Sequence, residues 1–172
     1  MSEQAQTVSS AATRLRAFNA VDWSLLILRL ALGVIFIAHG GQKVFGWFGG
    51  QGLAATVEAF NTKMGIPAPL TYLAAFTEFF GGVAVLLGIL GRLASLGLAI
   101  VMLVAVSKVH WAHGFFLEHQ GFEYNLALFA MALVILVAGP GRIAIADWEA
   151  RLWAKKIAEK EVESASPKEA AA

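Results

Sequence analysis

Four long apolar runs, at residues 23–40, 68–89, 93–111 and 122–139, limit what this chain can fold into more than any motif does. A helix that crosses a hydrocarbon core of about 30 Å needs about 20 mostly apolar residues at a rise of about 1.5 Å each, and every run is long enough with modest tilt. Unpaired backbone groups are too costly in lipid to leave exposed, and none of the runs alternates with period two, so all four are expected as helices. Composition agrees: 58% of the 172 residues are hydrophobic and 15% charged, against roughly 45–50% and about 25% in soluble domains. The predicted fold is all-α, a four-helix transmembrane bundle.

The same composition excludes several function classes. With 13 basic and 12 acidic residues the net charge is +1, so no basic field recruits nucleic acid. The absence of cysteine rules out an internal disulfide, a CxxC redox pair, a thiolate-held iron–sulfur cluster and covalently attached c-type haem. No GxGxxG, Walker or HExxH pattern occurs, which removes nucleotide-dependent and zinc-protease chemistry. Electron chemistry would therefore need a bound cofactor or a partner.

Punctuation between the runs sets the organisation. Asp22 stands where an N-cap is expected for the first helix, Pro67 and Pro69 open the second, and Gly139-Pro140-Gly141 closes the fourth. The Gly91-Arg92 turn is short enough to make the second and third spans antiparallel neighbours. In the long first connection Leu53, Val57, Phe60 and Met64 form the stripe of a short amphipathic helix, expected to lie over the outer mouth of the bundle as a lid. Arg14, Arg16, Arg92, Arg142, Arg151, Lys155, Lys156, Lys160 and Lys168 fall on one side of a four-span topology, against Lys43 and Lys63 in the other loops, so both termini are expected in the cytoplasm. Residues 1–21 form a polar cytoplasmic segment without the apolar core of a cleaved signal peptide. Residues 142–163, with Trp148, Arg151, Lys155, Lys156 and Lys160, read as a basic amphipathic interfacial helix that docks on anionic lipid or a protein partner, and 164–172 as a disordered tail.

Charges within the spans carry the chemical information. Counted from the expected ends of their spans, Arg29 and Glu78 lie about 10 Å from the inner and about 15 Å from the outer face, a difference in height an Arg side chain can bridge. Because an unpaired ion at mid-membrane costs at least ~2.5–3.5 kcal/mol, the two are expected to pair, either as a clamp fixing helix register or as a site for a quinone carbonyl, an anion or a proton. A second group, His39, Lys43, Lys108, His110, His113, Glu123, Tyr124 and Asn125, is expected to converge at the outer mouth. His110 and His113, at i and i+3, could share a metal with Glu123 or His39, and His39 with His110 could hold haem; both are the disfavoured alternatives to polar ligand capture without metal. No metal site is assigned, no cofactor is certain, and quinone is the one retained.

Taken together, Leu28-Arg29-Leu30-Ala31-Leu32-Gly33, His39-Gly40, Lys43, Gly65-Ile66-Pro67, Glu78-Phe79-Phe80-Gly81-Gly82, Leu86-Leu87-Gly88, Arg92-Leu93-Ala94, Gly121-Phe122-Glu123-Tyr124-Asn125 and Gly139-Pro140-Gly141-Arg142 with Asp147 resemble the DoxX family of small four-helix bacterial membrane proteins. The resemblance implies a multi-pass protein of the bacterial inner membrane associated with oxidoreductases, and assigns no catalytic residue. Three functions then compete: a membrane subunit that anchors or serves a redox system and associates with quinone, a purely structural accessory subunit of a larger respiratory or photosynthetic assembly, and a small transporter or channel-like protein.

Overall fold

The computed structural model describes residues 19–146, together with 157 and 159. The N-terminal segment before Asn19 and the expected docking residues Trp148, Arg151, Lys155, Lys156 and Lys160 lie outside the described residues, as does the tail. Within them the chain is helical, and its one isolated β-bridge joins Ile89 to Ala146. The chain is an integral membrane protein: three helices are long and apolar enough to cross a bilayer, and a fourth, shorter apolar helix completes the bundle.

The first helix, α1 (Ala20–Phe45), starts three residues earlier and ends five later than its apolar run. Its N-cap is Asn19, not Asp22: the Asn19 side chain accepts the Asp22 N–H at 2.9 Å while the Asp22 carboxylate accepts the Asn19 N–H at 3.1 Å, a reciprocal capping box in which Asp22 is the third helical residue. Gly40 and Gly41 do not end α1, because in lipid glycine within a helix serves close packing; the stop is Gly46, whose left-handed φ of 74° closes the last turn. A short turn at Trp47–Gly49 folds the chain back so that Trp47 covers Gly41, and α2 (Gly52–Met64) follows. Leu53, Val57, Phe60 and Met64 are half-buried on α2 around the buried Thr56, which places the stripe against α1 and α3 (Ala68–Leu87).

After the turn at Gly88, α4 (Gly91–Ala105) begins and continues through a π-helical turn (Val106–His110) and a 3-10 turn (Trp111–His113). The next helix, α5 (Glu123–Ala138), follows a loop whose Gly114 and Phe115 carbonyls accept the Phe122 and Glu123 N–H groups. Residues 142–146 are not the start of a helix: they form an irregular strap across one end of the bundle, where Ile145 donates to the Leu87 carbonyl at 3.0 Å. Lone α5 and α3 carbonyls at that end need donors, and the strap and two arginines provide them.

Register between α1 and α3 is set by glycines. A Cβ on Gly33 would lie 2.8 Å from Leu86 Cβ, and one on Gly40 would lie 2.6 Å from Phe79 Cα, so the two helices run antiparallel in backbone contact. Gly82 closes the same seam from the other side, 2.8 Å from Ile37 N by the same measure. Below this seam the core is formed by Leu32, Phe36, Val85, Leu98, Ala132 and Ile135, each at most 1% exposed.

Candidate functional site

On α1, Arg29, Gly33, Phe36, Gly40 and Lys43 are spaced 4, 3, 4 and 3 residues apart, which puts them on one stripe. On α3, Thr71, Ala75, Glu78, Gly82 and Val85 have the same spacing and are all buried. The two stripes face each other, so the question of which cation meets Glu78 is one of axial register. With Gly40 against Phe79, Glu78 is level with the Gly40-Gly41 turn of α1, twelve residues from Arg29; at about 1.5 Å per residue this is about 18 Å.

The expected pairing of Arg29 with Glu78 is therefore replaced by another. Glu78 forms a salt bridge with Lys43, whose side chain is 24% exposed against 5% for the carboxylate. The sequence-based depths failed because they took the ends of the two spans as level and left Lys43 in a loop, whereas α1 continues to Phe45 with the lysine on the seam and is offset along α3 so that Glu78 is level with Gly41. The buried Thr56 of α2 donates to the Gly52 carbonyl at 2.7 Å and reaches the Lys43 carbonyl at 3.4 Å, which seats α2 over the pair.

Arg29 has a different task. Its Nε donates to the Val85 carbonyl at 2.9 Å, Nη2 to Leu86 at 2.8 Å, and Nη1 to Pro140 at 2.9 Å and Ile143 at 2.7 Å. These are the carbonyls at the C-terminal end of α3 and just beyond α5, where unpaired C=O groups and the negative ends of two helix dipoles gather. The guanidinium is thus balanced by dipoles, and four of its five donors are committed. Arg92 does the same for the Leu136 and Val137 carbonyls of α5 at 2.9 and 2.8 Å. Asp22 completes the Arg29 end, accepting the Arg142 N–H at 3.3 Å with the Arg142 guanidinium 3.8 Å away.

The expected outer cluster separates into pairs. His39, one helical turn before Lys43, is exposed, and its ring lies 6.4 Å from that of the half-buried Tyr124. Asn125 is buried with its amide 3.6 Å from the Met102 sulfur. His110 Nδ1 lies 2.6 Å from the Gln120 carbonyl and His113 Nδ1 2.9 Å from that of Val109, contacts in which each ring nitrogen must donate. Glu123 accepts the Leu117 N–H at 2.6 Å, and Lys108 is exposed on the π turn. Among the described residues no three His, Asp or Glu side chains are placed to hold a metal ion. What remains as a candidate site is Lys43 and Glu78 beneath α2, with His39 and Tyr124 on the adjacent face. The alternating spacing was a signal in the sequence that puts both Arg29 and Lys43 on the stripe facing Glu78, and the register of α1 on α3 chooses Lys43.

Comparison with known proteins is consistent with this architecture. The DoxX family pattern matches residues 24–111. A protein of Bacillus subtilis (strain 168) named "Putative oxidoreductase CatD" is 30% identical over 110 residues, covering 64% of this chain and 76% of that protein. "Inner membrane protein YqjF" of Escherichia coli (strain K12) is 28% identical over 124 residues, covering 72% of this chain and 90% of that protein. No solved structure matches the chain. With the family pattern spanning the first three membrane helices and both stripes of the seam, the chain belongs to the DoxX family.

Proposed function

We propose that this protein is an integral membrane subunit that serves a redox system and associates with quinone at the Lys43–Glu78 site. The observation that carries the reading is the Lys43–Glu78 pair itself, an ion pair within the apolar bundle whose lysine keeps partial exposure beside His39 and Tyr124. Ionisable groups at membrane depth are costly and mark ligand or proton sites more often than soluble-protein charges do. A lipid-soluble ring bearing carbonyl oxygens would take hydrogen bonds from the Lys43 ammonium, the His39 ring or the Tyr124 hydroxyl, and as two electrons from the partner reduce it to the quinol, these donors would pass it two protons that Glu78 relays from water at the open face. The oxidoreductase in the name of the Bacillus subtilis relative supports a redox setting. Electrons would come from a partner enzyme, since the chain has no cysteine for thiol redox chemistry.

A second reading, a structural accessory subunit, is favoured by Arg29, whose donors are all but spent on helix ends. Gentle-detergent purification from the native membrane separates the two. Stoichiometric quinone that is lost in Lys43→Met supports the quinone-associated subunit. A partner complex that is quinone-free, and as active with Lys43→Met as with the unaltered chain, supports the structural one.

A further inference from the structure

Buried charges in the bundle form two tiers that do not meet, and the Ser95 hydroxyl between them is buried without a hydrogen-bond partner. At one end stand Lys43 and Glu78 under α2; at the other stands Arg29, held by the carbonyls of Val85, Leu86, Pro140 and Ile143. The interval of about 18 Å between them, twelve residues at about 1.5 Å each, is filled by Leu32, Phe36, Val85, Leu98, Ala132 and Ile135, none more than 1% exposed. Along the seam the backbones of α1 and α3 touch at Gly33 and Gly82, where even a methyl group would lie within 3.0 Å of its neighbours. Beyond the plug the strap, pinned by Arg29, Asp22 and the Ile145 N–H, lies across the end of the bundle.

We propose that the Lys43–Glu78 site is one-sided: it opens to the membrane face that carries α2 and to the lipid beside it, and a dry plug closes it to the opposite face. A proton or ligand that reaches Glu78 then leaves by the side on which it came, and the chain conducts nothing across the bilayer. The inference rests on the packing of the bundle and holds whatever ligand the site takes. It also accounts for a partly exposed lysine paired with a nearly sealed carboxylate, since access narrows toward the plug.

Because the chain has no cysteine, single reporters can be read without background. Lys63→Cys, on the exposed end of α2, marks the open face. In right-side-out and inverted vesicles, a membrane-impermeant methanethiosulfonate should modify Lys43→Cys from that face alone, and Ser95→Cys and Ala132→Cys, in the plug, from neither. Reaction at either plug position, reaction of Lys43→Cys from both faces, or no reaction of Lys43→Cys from either face overturns the proposal. The unaltered protein gives an independent readout: in liposomes with an imposed pH gradient and a trapped pH dye, the gradient should decay as in protein-free liposomes, and faster decay overturns it. Failure to recover quinone would leave these outcomes untouched, so the two proposals fail separately.

Discussion

Replacing Arg29 by Met tests whether this residue is a helix-end clamp or half of an ion pair with Glu78. The guanidinium is 2% exposed and donates to four carbonyls. Val85 keeps the Gly88 N–H at 3.1 Å, so the carbonyls of Leu86, Pro140 and Ile143 lose their guanidinium partner. At about 1–2 kcal/mol for each buried acceptor left unmade the loss is about 3–6 kcal/mol, offset in part because burying a cation no longer has to be sustained. A net destabilisation of about 3 kcal/mol lowers the melting temperature by about 6–12 °C for a chain of this size, with Arg29→Lys intermediate because an ammonium cannot reproduce the planar fork. The decisive assay is a double-mutant cycle in detergent melts. Arg29→Met and Glu78→Gln should be additive within about 0.5 kcal/mol at a separation of about 18 Å, whereas Lys43→Met and Glu78→Gln should couple by more than that. A coupling energy above that threshold for Arg29 with Glu78, or none for Lys43 with Glu78, refutes the register argued from the glycine seam.

Lys43→Met should cost more than Glu78→Gln, about 3–5 kcal/mol, because it strands a carboxylate that is 5% exposed while the lysine, at 24%, can extend toward the surface; thermal melts of the two single variants measure the difference. Gly40→Ala should destabilise by about 1–3 kcal/mol, since the added methyl meets the Phe79 backbone at 2.6 Å and backbone cannot turn aside as a side-chain tip can. Gly88→Ala should lose stability on two counts, a left-handed φ of 73° and a Cβ 2.7 Å from Arg29 Nη2, and its loss should shrink when combined with Arg29→Met. Ser95→Ala should leave the melting temperature unchanged or raise it, by up to about 1 kcal/mol in stability, because the buried Ser95 hydroxyl has no hydrogen-bond partner. A lower melting temperature for this variant would show that the hydroxyl is engaged.

Membrane embedding, helical class and family were legible in the sequence because they depend on residues summed along one element. Apolar windows of spanning length give a membrane helix wherever the rest of the chain lies, and the fragments around Arg29 and Glu78 carry the family resemblance by order and spacing alone. The amphipathic stripe of Leu53, Val57, Phe60 and Met64 was readable for the same local reason. Its position over the Lys43–Glu78 pair was not, because the fold-back depends on the left-handed turn at Gly46 and on Trp47 packing over Gly41.

The partners of the buried charges required the tertiary structure. Arg29, Lys43 and Glu78 stood out in the sequence as candidates, and their depths along separate helices could be counted, but which cation meets the carboxylate depends on where α1 ends and how far it slides along α3. That offset is fixed by Gly33 against Leu86 and Gly40 against Phe79, contacts between residues about fifty and forty positions apart in sequence. A slide of about 18 Å, the twelve residues between Arg29 and the level of Glu78, changes no residue of either apolar window, yet it decides whether an arginine or a lysine faces Glu78. Arg29 found its own partners only once the ends of α3 and α5 and the strap were brought to one place, since free carbonyls belong to helix termini and not to any residue type. Sequence alone set what enters the membrane; the packing of α1 on α3 decided which charges meet there, because register is a property of two surfaces and hydropathy of one.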